Sequence, residues 1–211
     1  MFTTGFSMAA ERIAEEPFGP STSWLVEQAA RWAVWVGGSI PQRTPGADRP
    51  TNTFVLAGPT GELHRYAKIH PFSFAGEDDH YTAGDVTVTV EIGDARVTPF
   101  VCYDLRFADW FWDTAADTDC YVVVANWPAA RRRHWIALLT ARAIENQAYV
   151  VGVNRVNDDG NGVAYCGDSR IIDPLGEEIE VADDRETMLL ADLDPARVAD
   201  VRSRFPFMAD R

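Results

Sequence analysis

Residues Val97-Thr98-Pro99-Phe100-Val101 form an apolar run rich in strand-favouring residues that stops at Cys102. A charged, helix-compatible stretch, Tyr103-Asp104-Leu105-Arg106-Phe107, begins at once. The thiol therefore sits where a strand hands over to a helix. A cysteine at such a corner is near the first N–H groups of the new helix, which lower a thiol pKa and can hold a developing oxyanion. The same residue also reads as a small buried hydrophobe, as unbridged cysteines commonly are.

On either side of this corner the patterning alternates. Apolar residues at helical spacing over 24–32, behind a possible Ser21-Thr22-Ser23 cap, predict a helix, and 34–40 predicts a strand. Strand-like runs at 53–57 and 63–68 flank Gly58-Pro59-Thr60-Gly61 and predict a hairpin with Lys68 at its end. Residues 69–85 read as a loop carrying Glu77-Asp78-Asp79-His80, and 86–90 and 95–101 as two strands. Beyond the corner, 119–125 is a buried-type strand ending in Asn126-Trp127-Pro128, 131–148 a helix and 149–153 a strand. A turn at Pro174-Leu175-Gly176, a last strand over 187–193 and a short helix over 195–202 complete the pattern. Strands outnumber helices and several are joined by tight turns, which predicts an α/β layered domain with mixed strands.

Composition narrows the function. With 211 residues and 46% hydrophobic content the chain supports one core, so residues 1–211 are expected to form a single domain. The net charge of −13 argues against nucleic acid as a partner, since that affinity comes from clustered Lys and Arg. The one basic cluster, Arg131-Arg132-Arg133, reads as a solvated face. Cys102, Cys120 and Cys166 are odd in number and lack metal-type pairing, which points to reduced thiols. No apolar run approaches ~18 residues and no leader pattern opens the chain, so the expectation is a cytoplasmic protein without a membrane partner.

A cysteine nucleophile needs an oxyanion stabiliser and a proton acceptor. His64, His70, His80 and His134 lie in unrelated contexts, and neither a papain-type signature nor a metal-ligand spacing supports them. Lys68 is the only lysine in a chain whose other basic residues are arginines, which singles it out as a cationic stabiliser at a strand end.

Tyr66-Ala67-Lys68-Ile69-His70, Val101-Cys102-Tyr103-Asp104-Leu105-Arg106-Phe107, Ala125-Asn126-Trp127-Pro128 and Ala141-Arg142-Ala143-Ile144-Glu145-Asn146-Gln147 together resemble the nitrilase, or carbon–nitrogen hydrolase, superfamily. Within it they look most like the omega-amidase branch. The resemblance implies an α-β-β-α sandwich that dimerises, a small amide substrate such as 2-oxoglutaramate, and no metal or organic cofactor. It also implies a Glu-Lys-Cys site. Cys102 would attack the amide carbon and pass through a thioester, with Lys68 and the backbone N–H of Tyr103 on the oxyanion. Glu77 matches the second glutamate that helps to position the site, and Trp127 and Phe2 would line the pocket.

One departure stands beside these agreements. The family's general-base glutamate directly precedes a segment like Met1-Phe2-Thr3, and this chain starts at that methionine, so the first strand, its helix and the base are expected to be missing. The 211 residues as written are therefore expected to hydrolyse amides weakly or not at all, whether the start is an internal methionine of a longer protein or a true truncation.

Overall fold

In the computed structural model, which describes residues 1–210, the chain divides into two units, Met1–Val88 and Thr89–Arg211. The first unit runs α1 (Ala10–Ile13), α2 (Pro20–Trp32), β1 (Val36–Gln42), β2 (Thr51–Ala57), β3 (Leu63–Ala67), a 3-10 turn (Ser73–Ala75) and α3 (Glu77–His80). Its sheet has the order β1-β2-β3 with both pairings antiparallel. Leu25 and Ala29 of α2 pack on Ile40, Val55 and Ala57, so one helix face covers one sheet face.

Three local expectations change here. Helix α2 starts at Pro20 behind Gly19, so Ser21 lies inside the first turn and gives no cap. Its N–H and hydroxyl donate instead to Glu15, whose carboxylate thus meets the positive end of the helix. The following strand begins at Val36 because Ala33 turns left-handed (φ 52°) and the Val34 N–H still closes onto Ala29. The stretch expected to be pure loop contains the 3-10 turn and α3, with Glu77 opening the helix.

The second unit runs β4 (Val90–Ile92), β5 (Ala95–Val101), a 3-10 turn (Cys102–Arg106), α4 (Ala108–Thr114), a 3-10 turn (Ala115–Asp117), β6 (Cys120–Ala125), a 3-10 turn (Ala129–Arg131), α5 (Arg132–Asn146), β7 (Tyr149–Asn154), β8 (Val156–Asp158), β9 (Ala164–Cys166), β10 (Arg170–Ile172), β11 (Glu178–Val181), α6 (Pro195–Arg204) and a 3-10 turn (Phe207–Asp210). The six-stranded sheet has the order β11-β10-β7-β6-β5-β4. Only β5, β6 and β7 are mutually parallel, which is why they read as continuous apolar runs: helices cover both of their faces. Phe111 of α4 stacks on Phe100 and packs on Tyr121. Gly152 lets α5 press on β7 on that same face, since a Cβ there would meet Leu139 at 2.4 Å. Val198 of α6 packs with Cys120 and Tyr149 on the other face.

Here too the boundaries move. Residues 86–89 are not strand; Thr89 meets Thr98 through its hydroxyl rather than through a backbone ladder. Residues 187–193 are not strand either, because Glu178–Val181 already occupies the sheet edge beside β10, and Met188 and Leu190 lie exposed. The short β8–β9 hairpin went unforeseen.

Candidate active site

Lys68 immediately follows β3, and its N–H donates to the Asn52 carbonyl while its own carbonyl accepts from Gly84. Gly84 is required there, since an added Cβ would lie 2.3 Å from the Ala67 oxygen. The ammonium so fixed lies 2.5 Å from Glu77 Oε2, with both side chains buried. Glu77 Oε2 also accepts from the Phe72 N–H at 2.6 Å, and Oε1 from Asn52 Nδ2 at 3.0 Å. A buried carboxylate is tolerable where it faces a cation and accepts further hydrogen bonds, and the tight α3 turn brings Glu77 to these three donors. Phe6 presents its ring face 5.8 Å from the ammonium. Tyr81, near Glu77, has its phenol pushed up by burial and then by that carboxylate; its hydroxyl donates to the Ser7 carbonyl. The structure thus brings Lys68 and Glu77 together.

Cys102, Trp127 and Asn154 follow or end β5, β6 and β7, three neighbouring parallel strands. Ligand sites of open α/β sheets form at such carboxyl ends. Cys102 is partly exposed and left-handed, with φ 50°, a conformation that costs a residue with a Cβ about 1–2 kcal/mol. The corner expected to open an α-helix is instead a 3-10 turn, followed by α4 only at Ala108. Asp104 accepts the Val101 N–H through Oδ2 at 3.0 Å, and Arg142 of α5 donates to the Leu105 carbonyl at 2.7 Å, so the turn is gripped at both ends. Cys102 Sγ lies 3.9 Å from the Asn126 carbonyl oxygen. Tyr103 shares the turn and packs edge-on against Phe107.

Trp127 is buried at 3% exposure, its indole N–H donating to the Arg131 carbonyl, its ring against Trp135 and under the Arg106 guanidinium at 4.9 Å. Phe2 is half exposed, laid over Gly38 and 5.9 Å from the Trp24 ring. Arg106, Asn52, Asp104 and Asn154 were not singled out by the sequence. Only Arg106 left a usable sign there, as the cation four residues after the cysteine. Among the described residues no group of three or more His, Cys, Asp or Glu is placed to hold a metal ion.

Residues 1–203 match the carbon-nitrogen hydrolase family, and the chain belongs to that family. Its fold is the α/β fold of the nitrilase superfamily. A crystal structure of a Xanthomonas campestris CN-hydrolase superfamily protein, carrying an arsenic adduct in its active site, is 40% identical and superposes with a TM-score of 0.94 over 100% of this chain and 81% of that one. Nit3 of Saccharomyces cerevisiae, at 24% identity, shares the fold with a TM-score of 0.85 over 95% of this chain and 76% of that one.

Among named relatives, the omega-amidase YafV of Escherichia coli strain K12 is 45% identical over 213 aligned residues, covering 100% of this chain and 81% of the relative. The 2-oxoglutaramate amidase of Bacillus subtilis strain 168 is 31% identical over 100% of this chain and 82% of its own length.

Proposed function

We propose that the protein is a carbon–nitrogen hydrolase of the omega-amidase type, which converts the terminal amide of a small 2-oxo acid amide, such as 2-oxoglutaramate, to the acid and ammonia. The observation that carries this reading is Cys102, held left-handed at the carboxyl end of a parallel strand in a chain closely similar to omega-amidases. The Cys102 sulfur adds to the amide carbon and the carbonyl electrons move to oxygen. Lys68 and the Tyr103 N–H stabilise that oxyanion. Collapse of the adduct breaks the C–N bond, the proton given up by the thiol passes to the nitrogen so that it leaves as ammonia, and a thioester remains on Cys102. Water then adds to the thioester, the C–S bond breaks, and the acid and the thiol are released.

In this reading Glu77 holds the Lys68 ammonium, and Trp127 and Phe2 shape the substrate pocket. Arg106, on the cysteine's own turn and stacked on Trp127, is the anchor for the substrate carboxylate. Glu77 is committed to Lys68 and Glu15 to Ser21, so neither is assigned the role of proton acceptor. The resemblance further supports a homodimer, a cytoplasmic location, and residues 1–211 acting as one domain, since one family pattern runs from 1 to 203.

The test is ammonia release from 2-oxoglutaramate by the full chain beside Cys102→Ala and Lys68→Ala, with light scattering for mass. Release above the blank that both substitutions abolish is expected. Release that survives Cys102→Ala overturns the mechanism, and a higher kcat/KM on a nitrile or a simple amide moves the protein to another branch of the superfamily.

A further inference from the structure

We propose that Asn154 is a positioning residue for the Cys102 thiol, acting through the single peptide plane between Asn126 and Trp127; this rests on Cys102 being the nucleophile. Asn154 is the last residue of β7 and lies in register with Ala125, the last residue of β6. Past that point the β6 chain leaves the ladder. Over 126–128 the chain is held in part by the buried Asn154 side-chain amide, which uses both its oxygen and its nitrogen on Trp127. Oδ1 accepts the Trp127 N–H at 2.7 Å, while Nδ2 donates to the Trp127 carbonyl at 3.1 Å and the Gly167 carbonyl at 2.8 Å.

The Trp127 N–H and the Asn126 C=O belong to the same rigid trans peptide and point in opposite directions. Fixing the N–H therefore fixes the carbonyl, and that carbonyl oxygen is the one 3.9 Å from Cys102 Sγ. The thiol is thus held toward an acceptor whose orientation is set by a residue from the third strand along. Such an acceptor orients the S–H and disfavours the thiolate until substrate displaces the contact. Arg106 and Asp104 on the same turn, and Tyr165, whose phenol responds to charge on Cys102, keep their side chains in every variant, and the Trp127 and Gly167 carbonyls that also lose a donor carry no titrating proton.

The experiment compares the full wild-type chain with Asn154→Ala, Asn154→Ser and Asn154→Asp. Iodoacetamide alkylation of Cys102 is followed by mass spectrometry from about pH 6 to 10, across the ordinary thiol range. The kcat and KM on 2-oxoglutaramate are measured beside it, and circular dichroism establishes folding. In Asn154→Ala the alkylation midpoint is expected to move to lower pH. Its kcat is expected to fall ~10–100-fold with KM within about threefold, because small misplacements of a reacting atom cost the chemical step. Asn154→Asp keeps an acceptor for the Trp127 N–H but sets an oxygen against the Trp127 and Gly167 carbonyls, so it is expected to lose kcat as Asn154→Ala does.

A folded Asn154→Ala whose alkylation profile superimposes on wild type overturns the proposal, and Asn154→Ser decides by the same criterion if the alanine variant does not fold. If the profile moves but Cys102→Ala still hydrolyses the amide, the nucleophile reading fails while the placement of the thiol stands.

Discussion

Glu77 Oε2 lies 2.5 Å from Lys68 Nζ, and solvent reaches neither group to any useful extent. In so dry a position each charge is tolerable only because of the other. Glu77→Ala or Lys68→Met is therefore expected to lower unfolding free energy by ~3–5 kcal/mol in urea titrations. The double variant Lys68→Met/Glu77→Leu should lose clearly less than the sum, since it strands no charge. Strictly additive losses would show that the two do not act as a unit.

Acid sensitivity is expected from the other end of β5. Asp119 is buried, which alone would raise its pKa, but the Arg96 guanidinium at 2.8 and 3.0 Å and the Arg96 N–H at 2.9 Å outweigh burial and hold the carboxyl below its ordinary 3.8. A carboxyl more acidic folded than unfolded stabilises the fold above the unfolded value and loses that contribution as pH falls through the folded one. Asp119→Asn should cost about 1 kcal/mol at neutral pH, a modest figure because Arg96 stays partly in water. The gap between the two chains should close as pH drops from about 5 to 2. A gap independent of pH would assign the effect to packing.

The thiols should separate by reactivity. Burial, then Asp119, pushes the Cys120 thiol up to about 12, and burial, then Asp168, raises Cys166. Under native conditions near neutrality N-ethylmaleimide is expected to modify Cys102 first, Cys166 slowly and Cys120 only after unfolding; mass spectrometry of timed samples reads the order. A thiol whose folded pKa is raised favours the fold below its unfolded value, so stability should decline as pH climbs from about 8.5 towards 12. Fast native labelling of Cys120 would contradict its place in the β6 interior.

Much of this was legible because strand and helix periods are local. The 53–57 and 63–68 runs paired as a hairpin, with Lys68 displaced only to the residue just after β3, and the buried-type runs became the parallel centre of the larger sheet. A strand-to-helix hand-over marked Cys102, its being the only lysine marked Lys68, and Glu77 came from the resemblance; the structure adds that Lys68 and Glu77 touch. What stayed hidden depends on long-range partners. Asn154 ends an apolar strand and reads as an ordinary strand terminus; its importance lies in where Trp127 and Gly167 arrive in space. The strand expected over 187–193 has the right alternation but finds the sheet edge taken by Glu178–Val181, a segment whose charged residues hid it. Ser21 was a plausible cap by residue type, yet the proline before it had already started the helix.

The left-handed backbone at Cys102 sets function against stability. A residue with a Cβ at φ 50° bears a steric penalty of about 1–2 kcal/mol that glycine does not, although glycine gives back roughly 0.5–1 kcal/mol through the greater freedom of the unfolded chain. Cys102→Gly should therefore unfold at higher denaturant than Cys102→Ala, by about 0.5–1 kcal/mol, while both lack the nucleophile and release no ammonia. The comparison isolates the backbone because alanine keeps the Cβ and differs from glycine in little else. If alanine proved the more stable of the two, the corner would not be strained, and its geometry would reflect the turn's hydrogen bonds to Asp104 and Arg142 rather than a conformation held for the thiol.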